Sequence, residues 1–258
     1  MAATSGARLR PPDRYGCRVP LVAAAVCPHP PLLIPEVAGA AATELDDLRR
    51  ACDTAVTRLV DSGADELLVV GDGPDTHRYD PPFHGSLAAY GLPVEPTVGR
   101  PGPGSRPDLP LSLTIGAWLL GRSRSESVPV VSAMYAVAPQ TDPVSCAQLG
   151  AGWGGDRNWA LLVLGDGSAC RGAAAPGYAD PRAEAYDSGV AEALADADLD
   201  ALLDLDPELS AQLRVVGRAA WQVLAGAARA AGGDWRGELS YHAAPYGVAY
   251  FVATWERS

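Results

Sequence analysis

The chain has 258 residues, 48% of them hydrophobic, and a formal net charge of −11. That length and apolar content suffice for a core without staples and exclude disorder throughout. The acidic balance opposes sequence-independent binding to phosphate backbones, and no stretch interleaves basic with aromatic residues, so nucleic acid is not an expected partner.

The five cysteines, Cys17, Cys27, Cys52, Cys146 and Cys170, contain no Cys-x-x-Cys pair. A disulfide framework and a zinc ribbon are both poor readings, and reduced thiols in a cytoplasm fit better. Arg8, Arg10, Arg14 and Arg18 precede the apolar run Val19 to Val26. The run is short and Val26 is a poor residue before a cleavage site, so a cytoplasmic chain is expected rather than an exported one. No run is long enough to span a bilayer. The abundance of Ala, Arg, Asp and Gly beside scarce Lys suggests a GC-rich bacterial genome.

In chain order, residues 1–18 read as a flexible tail and residues 19–258 as one α/β domain. Leu21 to Val26 reads as a buried strand ended by proline. Thr43 to Asp61 reads as a helix, with Leu45, Leu48, Cys52, Val56 and Leu59 at steps of three and four and Gly63 at its C-terminal stop. Glu66 to Val70 is a second strand. The segment from Asp75 to Pro107, broken by Pro and Gly and carrying the turn Pro101-Gly-Pro-Gly, reads as a long loop that is either a lid or a mobile insertion. Ser112 to Gly121 reads as a helix, Val128 to Met134 and Trp159 to Leu164 as strands. Asp180-Pro181 opens a helix with Tyr186, Val190 and Leu194 inward. Pro207 opens a longer helix through Ala231, and Gly237 to Trp255 reads as a hairpin around Pro245-Tyr246-Gly247. Alternating strands and helices predict a central, mostly parallel or mixed sheet with helices on both faces. In such sheets ligands bind beyond the carboxyl ends of the strands. Three ends carry polar residues there: His29, Asp72 and Asp166.

Leu67-Leu-Val-Val-Gly-Asp-Gly-Pro and Leu161-Leu-Val-Leu-Gly-Asp-Gly-Ser repeat one strand-to-turn pattern. Glycines flanking an Asp permit unusual backbone angles and close approach of another group. Two readings stand. Each Asp accepts hydrogen bonds and shapes its own turn, or both carboxylates face one crevice and hold a cation or a substrate hydroxyl. No Gly-Lys-Ser/Thr, Gly-x-Gly-x-x-Gly or Gly-x-Ser-x-Gly is present, which argues against a phosphate loop, a dinucleotide fold and a serine-hydrolase elbow. His29 lies between two prolines, a stiff mount suited to a metal ligand, while His77, His84 and His242 have no such setting.

Val26-Cys-Pro-His-Pro-Pro-Leu-Leu-Ile-Pro-Glu-Val37 resembles the first motif of the class III extradiol ring-cleavage dioxygenases (the LigB type) and the related Memo proteins. Val69-Val-Gly-Asp-Gly-Pro74, Gly165-Asp-Gly-Ser168, Gly177-Tyr178 with Pro181, Tyr186 and Asp187, Leu205-Asp-Pro207 and Gly217-Arg218 resemble later motifs in order. The resemblance implies an α/β fold with a divalent metal at the strand ends, Fe(II) by family, with Zn(II) or Mn(II) as alternatives. It places His29 at the first metal histidine and Asp72 at the second. The family's catalytic His falls at Ala169, and a Memo-type ligand falls at Val216. Ordinary ring cleavage is therefore not expected.

Two functions follow as expectations. One is a diverged metal-dependent enzyme, a dioxygenase-type oxidoreductase or a metal-assisted hydrolase. It would act on a small, aromatic molecule, with His29 and Asp72 as metal ligands and Asp166 beside the metal. Asp166, Ser168 and Arg171 are the catalytic candidates, with Ser168 or Arg171 near the substrate and Arg171 or Arg218 able to bind an anionic aromatic. The other is a non-catalytic binding or scaffold protein on the same fold. A homodimer is compatible with either.

Overall fold

The computed structural model describes residues 21–98, 108–123, 125, 129–154 and 156–258. The tail assigned to 1–18, the Pro101-Gly-Pro-Gly turn and Val128 lie outside these residues. The elements in chain order begin with β1 (Leu21–Cys27), α1 (Pro35–Ala38), α2 (Asp46–Val60) and β2 (Glu66–Asp72). Next come β3 (His77–Tyr79), β4 (Phe83–His84), β5 (Thr97–Val98), α3 (Leu111–Arg122), β6 (Val130–Val137), α4 (Pro143–Ala151) and β7 (Trp159–Leu164). The chain closes with α5 (Arg182–Asp196), α6 (Leu199–Leu203), α7 (Pro207–Gln212), α8 (Arg218–Ala231), β8 (Trp235–Ala243) and β9 (Tyr250–Arg257).

Seven strands form one mixed sheet in the order β3-β6-β2-β7-β1-β9-β8. The four central strands are parallel, while β3, β9 and β8 join antiparallel. The mixed α/β sheet expected from the alternation of elements is the one observed. Strand β7 alternates faces: Trp159, Leu161 and Val163 pack with α5 and α8, whereas Ala160, Leu162 and Leu164 pack with α2 and α3. Each fully buried Val or Leu contributes roughly 1.5–3 kcal/mol. Both faces being covered is what makes all six residues of β7 buried. No helix among the described residues is long and apolar enough to cross a membrane.

Several boundaries differ from the sequence expectation. The helix expected from Thr43 is α2 and starts at Asp46, and Gly39–Leu45 before it winds as a 3-10 segment. The long segment after β2 holds three short strands, β3 at the sheet edge and the separate pair β4 and β5. The helix expected from Pro207 to Ala231 is two helices, broken at Leu213–Gly217 with Arg214 at φ 56°. The break lets Gly217 dock on the turn after β7, its N–H donating to the Asp166 carbonyl at 2.9 Å. Helix α4 is an element that periodicity did not reveal. Its start is nonetheless written in Asp142-Pro143, where the Asp142 carboxylate accepts from the Ser145 N–H at 2.9 Å.

Helices α4 and α8 cross through glycines on each. A Cβ at Gly150 would stand 2.0 Å from the Val223 carbonyl oxygen, and one at Gly226 would stand 2.2 Å from the Ala147 carbonyl oxygen. Backbone sits on backbone there, so neither neighbour has a side chain to move aside. Gly150→Ala and Gly226→Ala are each expected to destabilise the fold by about 1–3 kcal/mol. Urea titration should show a lower midpoint with an unchanged slope.

Candidate functional site

Strands β2, β7 and β1 are neighbours and parallel, so their carboxyl ends lie side by side with β7 in the middle. Asp72 is the last residue of β2, Asp166 follows β7 by two residues, and His29 follows β1 by two. Pro28 and Pro30 limit the backbone on both sides of His29. The His29 N–H donates to Asp166 Oδ1 at 2.8 Å, which ties the end of β1 to the end of β7. The imidazole then reaches across β7. Its Nε2 stands 2.9 Å from Asp72 Oδ1, and its Nδ1 stands 3.7 Å from Asp166 Oδ1. The three residues singled out from the sequence thus converge.

The glycines of the two turns work by leaving space. None of Gly71, Gly73, Gly165 or Gly167 has a positive φ. A Cβ at Gly71 would stand 2.5 Å from Ser112 Oγ, and one at Gly73 would stand 2.6 Å from Ala136 Cβ. At Gly165 it would stand 2.6 Å from Gly217 Cα. Of the two properties expected of these glycines, close approach is the one used. Ser112, near the start of α3, donates its hydroxyl to the Asp72 carbonyl at 2.5 Å and fixes that strand end.

His29 is 5% exposed and Asp166 also lies deep, so their charges are poorly hydrated. Burial opposes protonation of His29 most strongly. The Asp166 charge and the Asp72 contact together outweigh it and lift the imidazole pKa to about 9. Burial likewise pushes the Asp166 carboxyl up, while the His29 imidazole holds it partly back and Asp72 adds to the rise. Two carboxylates against one imidazole require a positive charge. In the chain alone, a proton on His29 supplies it.

One detail separates this cluster from an ordinary ion pair. Asp72 Oδ1 is sealed from solvent and accepts no hydrogen bond, although His29 Nε2 is 2.9 Å away, and His29 Nδ1 is also sealed and unpartnered. The Nε2 position is not aligned for a bond to Asp72 Oδ1, and Nδ1 stands too far from Asp166 Oδ1 to form one. Buried polar atoms left this way are uncommon and each calls for an explanation.

Ser168 and Arg171 belong to a different network. The Ser168 hydroxyl donates to Asp187 Oδ2 at 2.5 Å, its N–H donates to Asp187 Oδ1 at 2.9 Å, and Ser168 and Asp187 are both fully buried. Arg171 Nη1 reaches Asp187 Oδ2 at 3.3 Å and Nη2 reaches Glu184 at 3.4 Å. Arg218 is 2% exposed, with its guanidinium bonded to Gln222 Oε1 at 2.7 Å and to the Pro139 carbonyl. Ala169 lies between Ser168 and Arg171 in the chain, its backbone bonded to Leu213 and Gly177. Of the other histidines, His77 packs edge-on against Tyr79, His84 faces Glu95 at 3.5 Å, and His242 lies against the Phe251 ring.

Sequence reasoning missed two contributors. Asp187 entered only through a family motif, though a buried carboxylate on the inner face of α5 organises everything after β7. Tyr250, at the start of β9, lies within reach of the Asp166 charge. The alternation of the last strand was the available signal for its inward side.

No family model matches the chain, and no curated protein matches it. A solved structure, that of uncharacterized protein JW3007 from Escherichia coli K12, shares 13% sequence identity, with 91% of this chain and 99% of that chain covered and a TM-score of 0.45. A likeness of that size carries no argument about family or activity.

Two outcomes test the geometry. Ser168→Ala removes one of the donors to a buried carboxylate and is expected to cost about 1–3 kcal/mol of stability, read by urea unfolding. The folded pKa of His29 is raised, so the stability it contributes is fully present below the ordinary imidazole value of 6.5 and is lost as pH rises through about 9. Chelator-treated protein should therefore show a Tm that falls from pH 7 to pH 10, and His29→Gln should lack that fall.

Proposed function

We propose that the chain is a diverged member of the LigB-type extradiol dioxygenase and Memo-like superfamily, in which His29 and Asp72 hold a divalent cation and the site acts on a small, oxygen-bearing molecule. The observation that carries this reading is the sealed Asp72 Oδ1, without any donor, 2.9 Å from His29 Nε2. Two ligands each about 2.1 Å from one octahedral centre stand about 3 Å apart, so the spacing suits joint ligation. A cation there would replace the proton that otherwise neutralises the cluster.

One imidazole and one carboxylate form a mixed nitrogen and oxygen donor pair that suits Fe(II), Mn(II) or Zn(II). Among the described residues no group of three His, Cys, Asp or Glu side chains is placed to hold a metal. The chain's share is therefore two donors, leaving the remaining positions to water and ligand. When bound, such a metal supplies Lewis-acid polarisation of a ligand oxygen. The chain's own residues do the rest. Asp166 holds the His29 backbone and so the ring, and Ser112 holds the Asp72 strand end.

With alanine at position 169, no imidazole stands where the family places its proton-transfer group. We therefore assign a reaction other than extradiol ring cleavage, with a metal-assisted, non-redox step as the first choice. The four described cysteines are buried and unpaired, which supports a reducing, cytoplasmic setting. A second reading, a binding protein without chemistry, is favoured by the Ser168 and Arg171 side chains being spent on Asp187.

Protein purified without chelator is expected to carry a stoichiometric divalent metal by elemental analysis, and Asp72→Ala to lose it. Unchanged metal in Asp72→Ala would remove Asp72 from the site, and absence of metal with no thermal shift from Fe(II), Mn(II) or Zn(II) would end the metal reading. Anaerobic loading with Fe(II), followed by air and a catechol panel, is expected to give no yellow ring-opened product.

A further inference from the structure

Strand β9 runs antiparallel to β1 with Ala23 opposite Glu256 and Val26 opposite Ala253. Beyond that pairing the start of β9 meets the turn after β7. There the Gly167 N–H donates to the Ala249 carbonyl at 2.8 Å and the Ala249 N–H donates to the Ser168 carbonyl at 2.9 Å, which sets Tyr250 beside the turn that carries Asp166. Tyr250 packs on the face that also holds Cys27 and Val252, the side of the sheet covered by α2 and α3. The residue is 3% exposed, yet its hydroxyl has no hydrogen-bond partner among the described residues. Nor is that hydroxyl among the sealed, unpartnered polar atoms, so the small exposed part of Tyr250 includes it. A buried ring with an unspent hydroxyl at the strand ends is a donor held ready.

The surroundings explain why it stays a donor. Burial and then the Asp166 charge push the Tyr250 pKa up, so the phenol keeps its proton across the physiological range. The adjoining rim is rigid: Tyr246 takes a left-handed conformation at φ 58° and donates its hydroxyl to Glu44 Oε2 at 2.6 Å. That bond ties the β8–β9 turn to the 3-10 segment before α2.

We infer that Tyr250 is the hydrogen-bond donor that the site presents to its ligand, recognising an acceptor oxygen (a phenolate, carboxylate or hydroxyl oxygen) placed beside His29 and Asp72. This rests on the reading of those residues as a ligand site. Carboxylates only accept hydrogen bonds, so a ligand oxygen between Asp72 and Asp166 needs a donor, and a neutral phenol adds one without adding charge. Tyr250 is a specificity-determining residue on this account.

The test uses full-length Zn(II)-loaded protein and 4-nitrocatechol, whose absorbance reports its own binding. Tyr250→Phe is expected to weaken binding about five- to tenfold, the effect of one hydrogen bond, with Zn(II) content and Tm unchanged. Equal affinity in the variant, no binding by the wild type, or a clear loss of Tm in Tyr250→Phe would each overturn the assignment. If the wild type holds no Zn(II), the metal reading falls separately, and the same titration on the metal-free chain still decides the role of Tyr250.

Discussion

The bond from the His29 N–H to the Asp166 carboxylate joins the ends of two adjacent parallel strands and sets the position of the imidazole. From that position the ring spans the middle strand and meets Asp72 on the far side. Every nearby feature serves the arrangement. The two prolines limit the His29 backbone. Ser112 grips the carbonyl of Asp72, and the glycines on either side of each Asp let a helix or a strand come into contact. What this assembly leaves unsettled is charge. Two carboxylates in a poorly hydrated place hold one imidazole, and either a proton or a cation must complete the balance.

The turn after β7 divides its work between two adjacent networks. Asp166 faces His29, while Ser168, two residues on, faces the buried carboxylate of Asp187. Its hydroxyl and its N–H are both committed there, and Arg171 joins the same acid. The second network stiffens the turn from behind. Residue 169 follows Ser168 within that second network, its backbone bonded to Leu213 and Gly177.

Much of this was legible in the residues. Apolar runs marked the central strands, a three-and-four periodicity marked α2, and the repeated Gly-Asp-Gly pointed to the right strand ends. The signals used elsewhere also stood at α4, where Asp142-Pro143 is the same start that announced α5 at Asp180-Pro181. Small residues such as Gly150 and Ala147 hid it, because their contact surface is backbone rather than an apolar stripe. The break at Leu213–Gly217 was invisible for a related reason: it exists to let Gly217 touch Asp166, a contact between segments far apart in the chain.

Local chemistry thus determined that strands, turns and a stiff histidine would exist, since periodicity, proline and glycine act over a few residues. Only the tertiary structure decided which ends became neighbours. The order β2-β7-β1 brings residues 72, 166 and 29 together, and nothing in three short segments separated by tens of residues encodes adjacency in a sheet. The same holds for Ser168, whose hydroxyl turned toward Asp187. It holds again for Tyr250, brought to the turn after β7 by the bonds of Ala249 to Gly167 and Ser168.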